Sequence, residues 1–114
     1  MVEEIKTSDF YFKIANGTSF VKFWGDFCGP CKSYAVNFSS FAKNNPNVNC
    51  YSVNAIEELE ITDKFKISRI PVTIIFKDGV EIRRLDGIQT PAQLESNILW
   101  KIYDGKKPYI YIRK

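Results

Sequence analysis

Histidine is absent from the 114 residues, and cysteine occurs only three times. Without an imidazole there is no histidine general base, no Ser-His or Cys-His nucleophile pair, and no Cys2His2 or Cys3His zinc site. Three cysteines are too few for the disulfide framework of a small secreted protein; they permit at most one internal bridge and leave one thiol over. No apolar run approaches the roughly 20 residues of a membrane span, and Met1 to Lys6 has neither the basic start nor the apolar stretch of a signal peptide. The expectation is a soluble protein of a reducing, cytoplasmic compartment without a membrane partner. Charge of one sign is scarce too: 16 Lys and Arg against 13 Asp and Glu leave +3, with no long basic run, so nucleic acid is not an expected partner.

What is present describes one ordinary domain. Hydrophobic residues make up 45% and charged residues 25%, enough for a single core and far from the composition of disorder. Ser8 is placed to cap a helix over Asp9 to Ala15, stopped by Asn16-Gly17. Ser19 to Trp24 is β-branched and aromatic and reads as a central strand. After a turn over Gly25 to Pro30, Tyr34, Phe38, Phe41 and Ala42 recur at helical spacing within Cys31 to Lys43. Val48 to Asn54 reads as a strand, and Ile56 or Glu57 to Phe65 as a helix. Val72 to Phe76 is an apolar strand joined through Asp78-Gly79 to Val80 to Leu85 as a hairpin. Thr90-Pro91-Ala92-Gln93 combines an N-cap, proline at the first helical position and a capping-box glutamine, opening a helix to about Tyr103.

The order αβαβαββα predicts an α/β fold, a central mixed sheet with helices on both faces. Residues 1–105 form the domain; 106–114 is a C-terminal tail. Its Tyr109-Ile110-Tyr111-Ile112 alternation reads as an extra edge strand or packed tail, or as a strand that pairs with a partner or second subunit.

The chemistry-bearing motif is Cys28-Gly29-Pro30-Cys31, where a strand gives way to a helix. Cys28 falls at the helix N-terminus, where unpaired N–H groups and the dipole stabilise a thiolate, and is the candidate nucleophile. Cys31, one turn later and facing inward, is the candidate resolving thiol. Gly29 permits the tight turn, and Pro30 fixes φ where a missing N–H donor costs nothing. Half of a zinc knuckle is the other reading of Cys-x-x-Cys, but no second pair completes four ligands.

Phe23-Trp24-Gly25-Asp26-Phe27-Cys28-Gly29-Pro30-Cys31-Lys32, with Ile70-Pro71-Val72, Phe76-Lys77-Asp78-Gly79 and Gly87, resembles the thioredoxin family over residues 8 to 103. The resemblance implies a thioredoxin fold, a cis peptide at Ile70-Pro71, and Trp24, Phe27, Ile70, Pro71 and Gly87 surrounding the exposed Cys28 as a substrate-binding surface with Gly29 and Pro30. It implies a monomeric dithiol–disulfide oxidoreductase acting on disulfide-containing proteins and recharged by a thioredoxin reductase. No metal or organic cofactor is called for, because the cysteines carry the two electrons. The same chemistry serves an oxidase or isomerase, and the same fold a binding or scaffold module; a thiol sensor using Cys50 is a further reading.

Four departures stand out. Lys22 occupies the place of the family's buried Asp, which assists proton transfer at the resolving thiol, and alignment of the second strand puts Cys50 opposite it. Lys22 acts there as a cation, as a neutral base, or reaches out to solvent and leaves the proton to water. Phe27 replaces a Trp, and Val36 a helix-kinking Pro.

Overall fold

In the computed structural model the backbone is described over residues 1–102 and side chains through Ile98, so the tail at 106–114 lies outside the described residues. The elements are β1 (Val2–Glu4), α1 (Thr7–Ile14), β2 (Thr18–Trp24), α2 (Gly29–Asn44), β3 (Asn49–Asn54), α3 (Leu59–Lys64), β4 (Val72–Lys77), β5 (Val80–Asp86) and α4 (Pro91–Ile102). They form one five-stranded sheet in the order β1-β3-β2-β4-β5. The pairs β1–β3 and β3–β2 are parallel, while β2–β4 and β4–β5 are antiparallel, giving the expected mixed sheet.

The alternation along the strands divides the core. Val21, Phe23, Val53, Val72, Ile74 and Phe76 point to one face, against Phe10 and Ile14 of α1 and Ile61 of α3. Phe20, Cys50 and Ile75 point to the other, against Tyr34, Phe38, Phe41 and Ala42 of α2 and Leu94 of α4. β2 is covered on both sides, which explains its nearly continuous apolar run. The helical stripe seen in the sequence of α2 is the stripe that packs on the sheet.

Local signals succeed where short-range chemistry decides. At α4, the Thr90 N–H donates to Gln93 Oε1 at 2.8 Å, and the Gln93 N–H donates to Thr90 Oγ1 at 3.1 Å, a reciprocal capping box. Asp78 and Gly79 both have positive φ, 47° and 85°, as a two-residue hairpin turn requires.

Four local expectations are corrected. Val2–Glu4 forms a strand that the sequence pattern does not reveal. α1 begins at Thr7, not Asp9, and Ser8 does not cap it; the Thr7 N–H donates instead to Glu58 Oε1 at 2.7 Å. α2 begins at Gly29, before Cys31. α3 is shorter than its apolar pattern, because Asn54 Oδ1 accepts the N–H groups of Ile56 and Glu57 and holds them in a turn.

One buried hydrogen bond fixes α2 on the sheet. Tyr34 and Thr73 are fully buried, and their hydroxyls lie 2.7 Å apart. Tyr34→Phe should lower the free energy of unfolding by about 1–2 kcal/mol, since it leaves the Thr73 hydroxyl without its partner. Tyr34→Phe with Thr73→Val should recover part of that loss, and urea unfolding of the four proteins measures the coupling.

Candidate active site

β2 delivers the site to the carboxyl end of the sheet. Beyond Trp24 the chain turns through Gly25, Asp26 and Phe27 and enters α2 at once. Phe27 holds φ at 60°, an unusual conformation for a bulky residue, and is fully exposed. Cys28 is the N-cap of α2; its backbone is extended, and its Sγ accepts the Cys31 N–H at 3.2 Å. Pro30 lies in the first helical turn, as expected. Cys28 and Cys31 are joined as a disulfide with Cα atoms 5.3 Å apart. Cys28 is half-buried, less open than the exposed position expected, and Cys31 only 4% exposed, so Cys28 is the more accessible of the pair.

The other residues expected at the site lie in and beyond the segment before β4. The Ile70-Pro71 peptide is cis, as the resemblance implied. The Pro71 carbonyl accepts the Gly87 N–H at 2.9 Å, and Gly87 has φ of 77°, a conformation open to glycine. Register aligns Phe23 with Val72, which sets Ile70 and Pro71 beside the end of β2. Gly25 is packed tightly there: a Cβ on it would lie 2.8 Å from Ile70 Cδ1 and 3.0 Å from Ile56 Cγ1.

Beside Cys31 opens a cleft of about 590 Å³ whose lining includes the exposed Glu4, Asp26 and Phe27 and the buried Lys22, Cys31 and Ser52. Lys22 is 7% exposed and so does not reach freely into solvent. Its Nζ lies 5.5 Å from the centroid of the Phe38 ring and 5.9 Å from that of Tyr34, within cation–π range. Burial holds the Lys22 pKa below its ordinary value, and the Glu4 carboxylate works in the opposite direction.

Cys50 does not stand opposite Lys22. The register pairs Cys50 with Phe20 and Lys22 with Ser52; the thiol shares that face one diagonal step away. Cys50 is buried and unpaired, and burial pushes its pKa up to about 12. The group missed from the sequence is Glu4. Its carboxylate accepts the Trp24 indole N–H at 3.1 and 3.2 Å and the Ser52 hydroxyl. Two acidic residues in a three-residue strand carry no periodicity that could have singled it out.

The thioredoxin family model matches residues 1–99. The chain is 33% identical to a thioredoxin of Chlamydia pneumoniae over 89 residues, covering 78% of this chain and 87% of that one. It is 37% identical to a thioredoxin of Alicyclobacillus acidocaldarius over 79 residues, covering 68% and 75%. Among solved structures, thioredoxin of Malassezia sympodialis superposes with a TM-score of 0.78 at 25% identity, covering 86% of this chain and 90% of that one. Among the described residues no helix is long and apolar enough to cross a membrane.

A buried ammonium with a lowered pKa predicts a stability difference with a definite pH dependence. In the folded protein Lys22 binds its proton less tightly than in the unfolded chain, so its penalty is fully present at neutral pH. That penalty fades as pH rises through the folded pKa toward the ordinary value of 10.5. Lys22→Met should therefore be more stable than the parent at pH 7, by on the order of 1 kcal/mol. The advantage should shrink as pH rises toward 10.5; denaturant titrations of both proteins across that range check it.

Proposed function

The chain belongs to the thioredoxin family and is a dithiol–disulfide oxidoreductase acting on protein disulfides, and from that premise we propose that Cys28 attacks and Cys31 resolves. The observation that carries the assignment is the asymmetry of the pair: Cys28 caps α2 at the surface, whereas Cys31 is enclosed. At the helix N-terminus the Cys31 N–H already donates to the Cys28 sulfur, and the same donor and the dipole stabilise a thiolate there in the reduced form.

The Cys28 thiolate attacks one sulfur of the substrate disulfide. The substrate S–S bond breaks, its other sulfur leaves as a thiolate, and a mixed disulfide joins substrate to Cys28. Cys31 then loses its proton and attacks the Cys28 sulfur, which forms the internal bridge and releases the second substrate thiol. Two electrons pass from the cysteine pair to the substrate. The structure holds this bridge closed, the product state of the cycle.

Trp24, Phe27, Gly29 and Pro30 on one side and Ile70, Pro71 and Gly87 on the other are assigned to the substrate surface. The exposure of Phe27, Ile56 and Ile88 supports an apolar landing area. Ile70 offers backbone to an extended substrate segment, a short β-augmentation that needs no particular side-chain sequence. Lys22 is assigned to the release step, acting on Cys31 from within the cleft both residues line. The proposed setting is a monomer in a reducing, cytoplasmic compartment, returned to the dithiol form by a thioredoxin reductase.

Insulin-type disulfide reduction tests the roles. Cys28→Ser should lose turnover and form no mixed disulfide, whereas Cys31→Ser should lose turnover and accumulate a substrate adduct on Cys28. Peptide mapping that finds the adduct on Cys50, or turnover retained in Cys28→Ser, would reverse the assignment.

A further inference from the structure

The resolving step needs a proton acceptor within reach of Cys31. Cys31 attacks as a thiolate, yet it is enclosed, and its chain carries no imidazole. The groups on the cleft wall are therefore decisive. Register sets Glu4, Ser52, Lys22 and Thr73 in one row across β1, β3, β2 and β4, all on the face beneath α2. With neighbouring strands about 4.8 Å apart, Glu4 and Lys22 sit roughly 10 Å apart at the backbone, with long side chains directed into the same cleft.

Glu4 is built into this site. The indole Nε1 of Trp24 can only donate, and it is within 3.2 Å of both carboxylate oxygens; Ser52 adds its hydroxyl from β3. These two donors hold the Glu4 carboxylate in place beside the cleft. It is also exposed on its outer side, so a proton placed on it can leave to solvent.

We propose that Glu4 is the proton acceptor for Cys31: water in the cleft carries the Cys31 proton to the Glu4 carboxylate as the Cys31 sulfur attacks Cys28. The Cys28–substrate S–S bond breaks and the Cys28–Cys31 bond forms. The substrate sulfur leaves with the electron pair and takes up a proton, and Glu4 gives its own to that thiolate or to solvent, which restores the carboxylate. Lys22 remains an ammonium throughout, held over the Phe38 and Tyr34 rings, and stabilises the Cys31 thiolate as it forms. Glu4 acts through water and does not touch the reacting sulfurs.

The other ionisable groups around Glu4 leave it this role. Lys22 comes from β2 and Lys32 from α2, both cations; Asp26 comes from the exposed turn, whereas Glu4 is held by the Trp24 and Ser52 donors. Tyr34, facing Lys22 from α2, has its phenol pushed above its ordinary pKa by burial and stays neutral, as does the buried Cys50 of β3.

This inference rests on the roles given to Cys28 and Cys31, and Ellman's reagent separates the two. Mixing with the reduced protein releases one thionitrobenzoate when Cys28 attacks and a second when Cys31 resolves. Glu4→Gln keeps an acceptor for Trp24 and Ser52 but weakens the base. It should leave the first phase unchanged and slow the second about tenfold at pH 7, a modest share of what general-base catalysis contributes. The deficit should narrow as pH rises and hydroxide takes over as the base, and Glu4→Asp should restore part of the rate at pH 7.

An unchanged second phase in Glu4→Gln, an equal slowing of both phases, or the same deficit from Asp26→Asn in place of Glu4→Gln would overturn the proposal. A second phase that persists in Cys31→Ser would instead overturn the roles of the cysteines.

Discussion

The N-cap of α2 is a cysteine, and the site is arranged around that coincidence. Cys28 has to be extended to end the turn after β2, and its Sγ has to accept the Cys31 N–H to begin the helix. A serine or aspartate would cap as well, but neither could carry electrons. Because the cap is also the attacking atom, the helix N-terminus that must be satisfied for folding is the same one that stabilises the thiolate. Cys31 follows one turn later, on the side of α2 that packs on the sheet, so its burial follows from the helical period. Phe27 bears the strain of the approach, with positive φ and no packing to compensate within the domain.

Beneath that helix runs a polar row through an otherwise apolar layer. Thr73 is satisfied by Tyr34, Ser52 and Trp24 by Glu4, and Lys22 by two aromatic faces and a distant carboxylate. A buried ammonium is tolerated here because its neighbours answer it from both sides: π-faces from α2 and negative charge from β1. The row also links the edge of the sheet to its centre. β1 is only three residues long, yet its last residue hydrogen-bonds the tryptophan that opens the Cys28 turn.

Much of this was legible in the sequence, for reasons that are local. The Cys28-Gly29-Pro30-Cys31 spacing, the helical stripe of α2, the Thr90 capping box and the Asp78-Gly79 turn each depend on residues within a few positions of one another. The parts that were not legible depend on partners far along the chain. Ser8 looks like a cap, but Glu58, 51 residues away from Thr7, satisfies that helix. Glu4 looks like a surface acid until β1 pairs with β3 and brings it to Ser52. Lys22 stands out in the sequence only through the resemblance, as the replacement of a buried Asp; its surroundings do not, because strand order and register decide which residue lies opposite. A shift from Cys50 to Ser52 replaces a thiol with a hydroxyl that already serves Glu4.

The central claim is that Cys28 and Cys31 form a reversible couple poised to reduce protein disulfides. Equilibrium titration of the pair against glutathione or dithiothreitol buffers, read by the fraction of bridged protein, tests it most directly. The account predicts a strongly reducing potential, in the range of about −270 mV typical of thioredoxins. A value near about −120 mV, where a disulfide oxidant sits, would contradict it and assign the same geometry to bond formation.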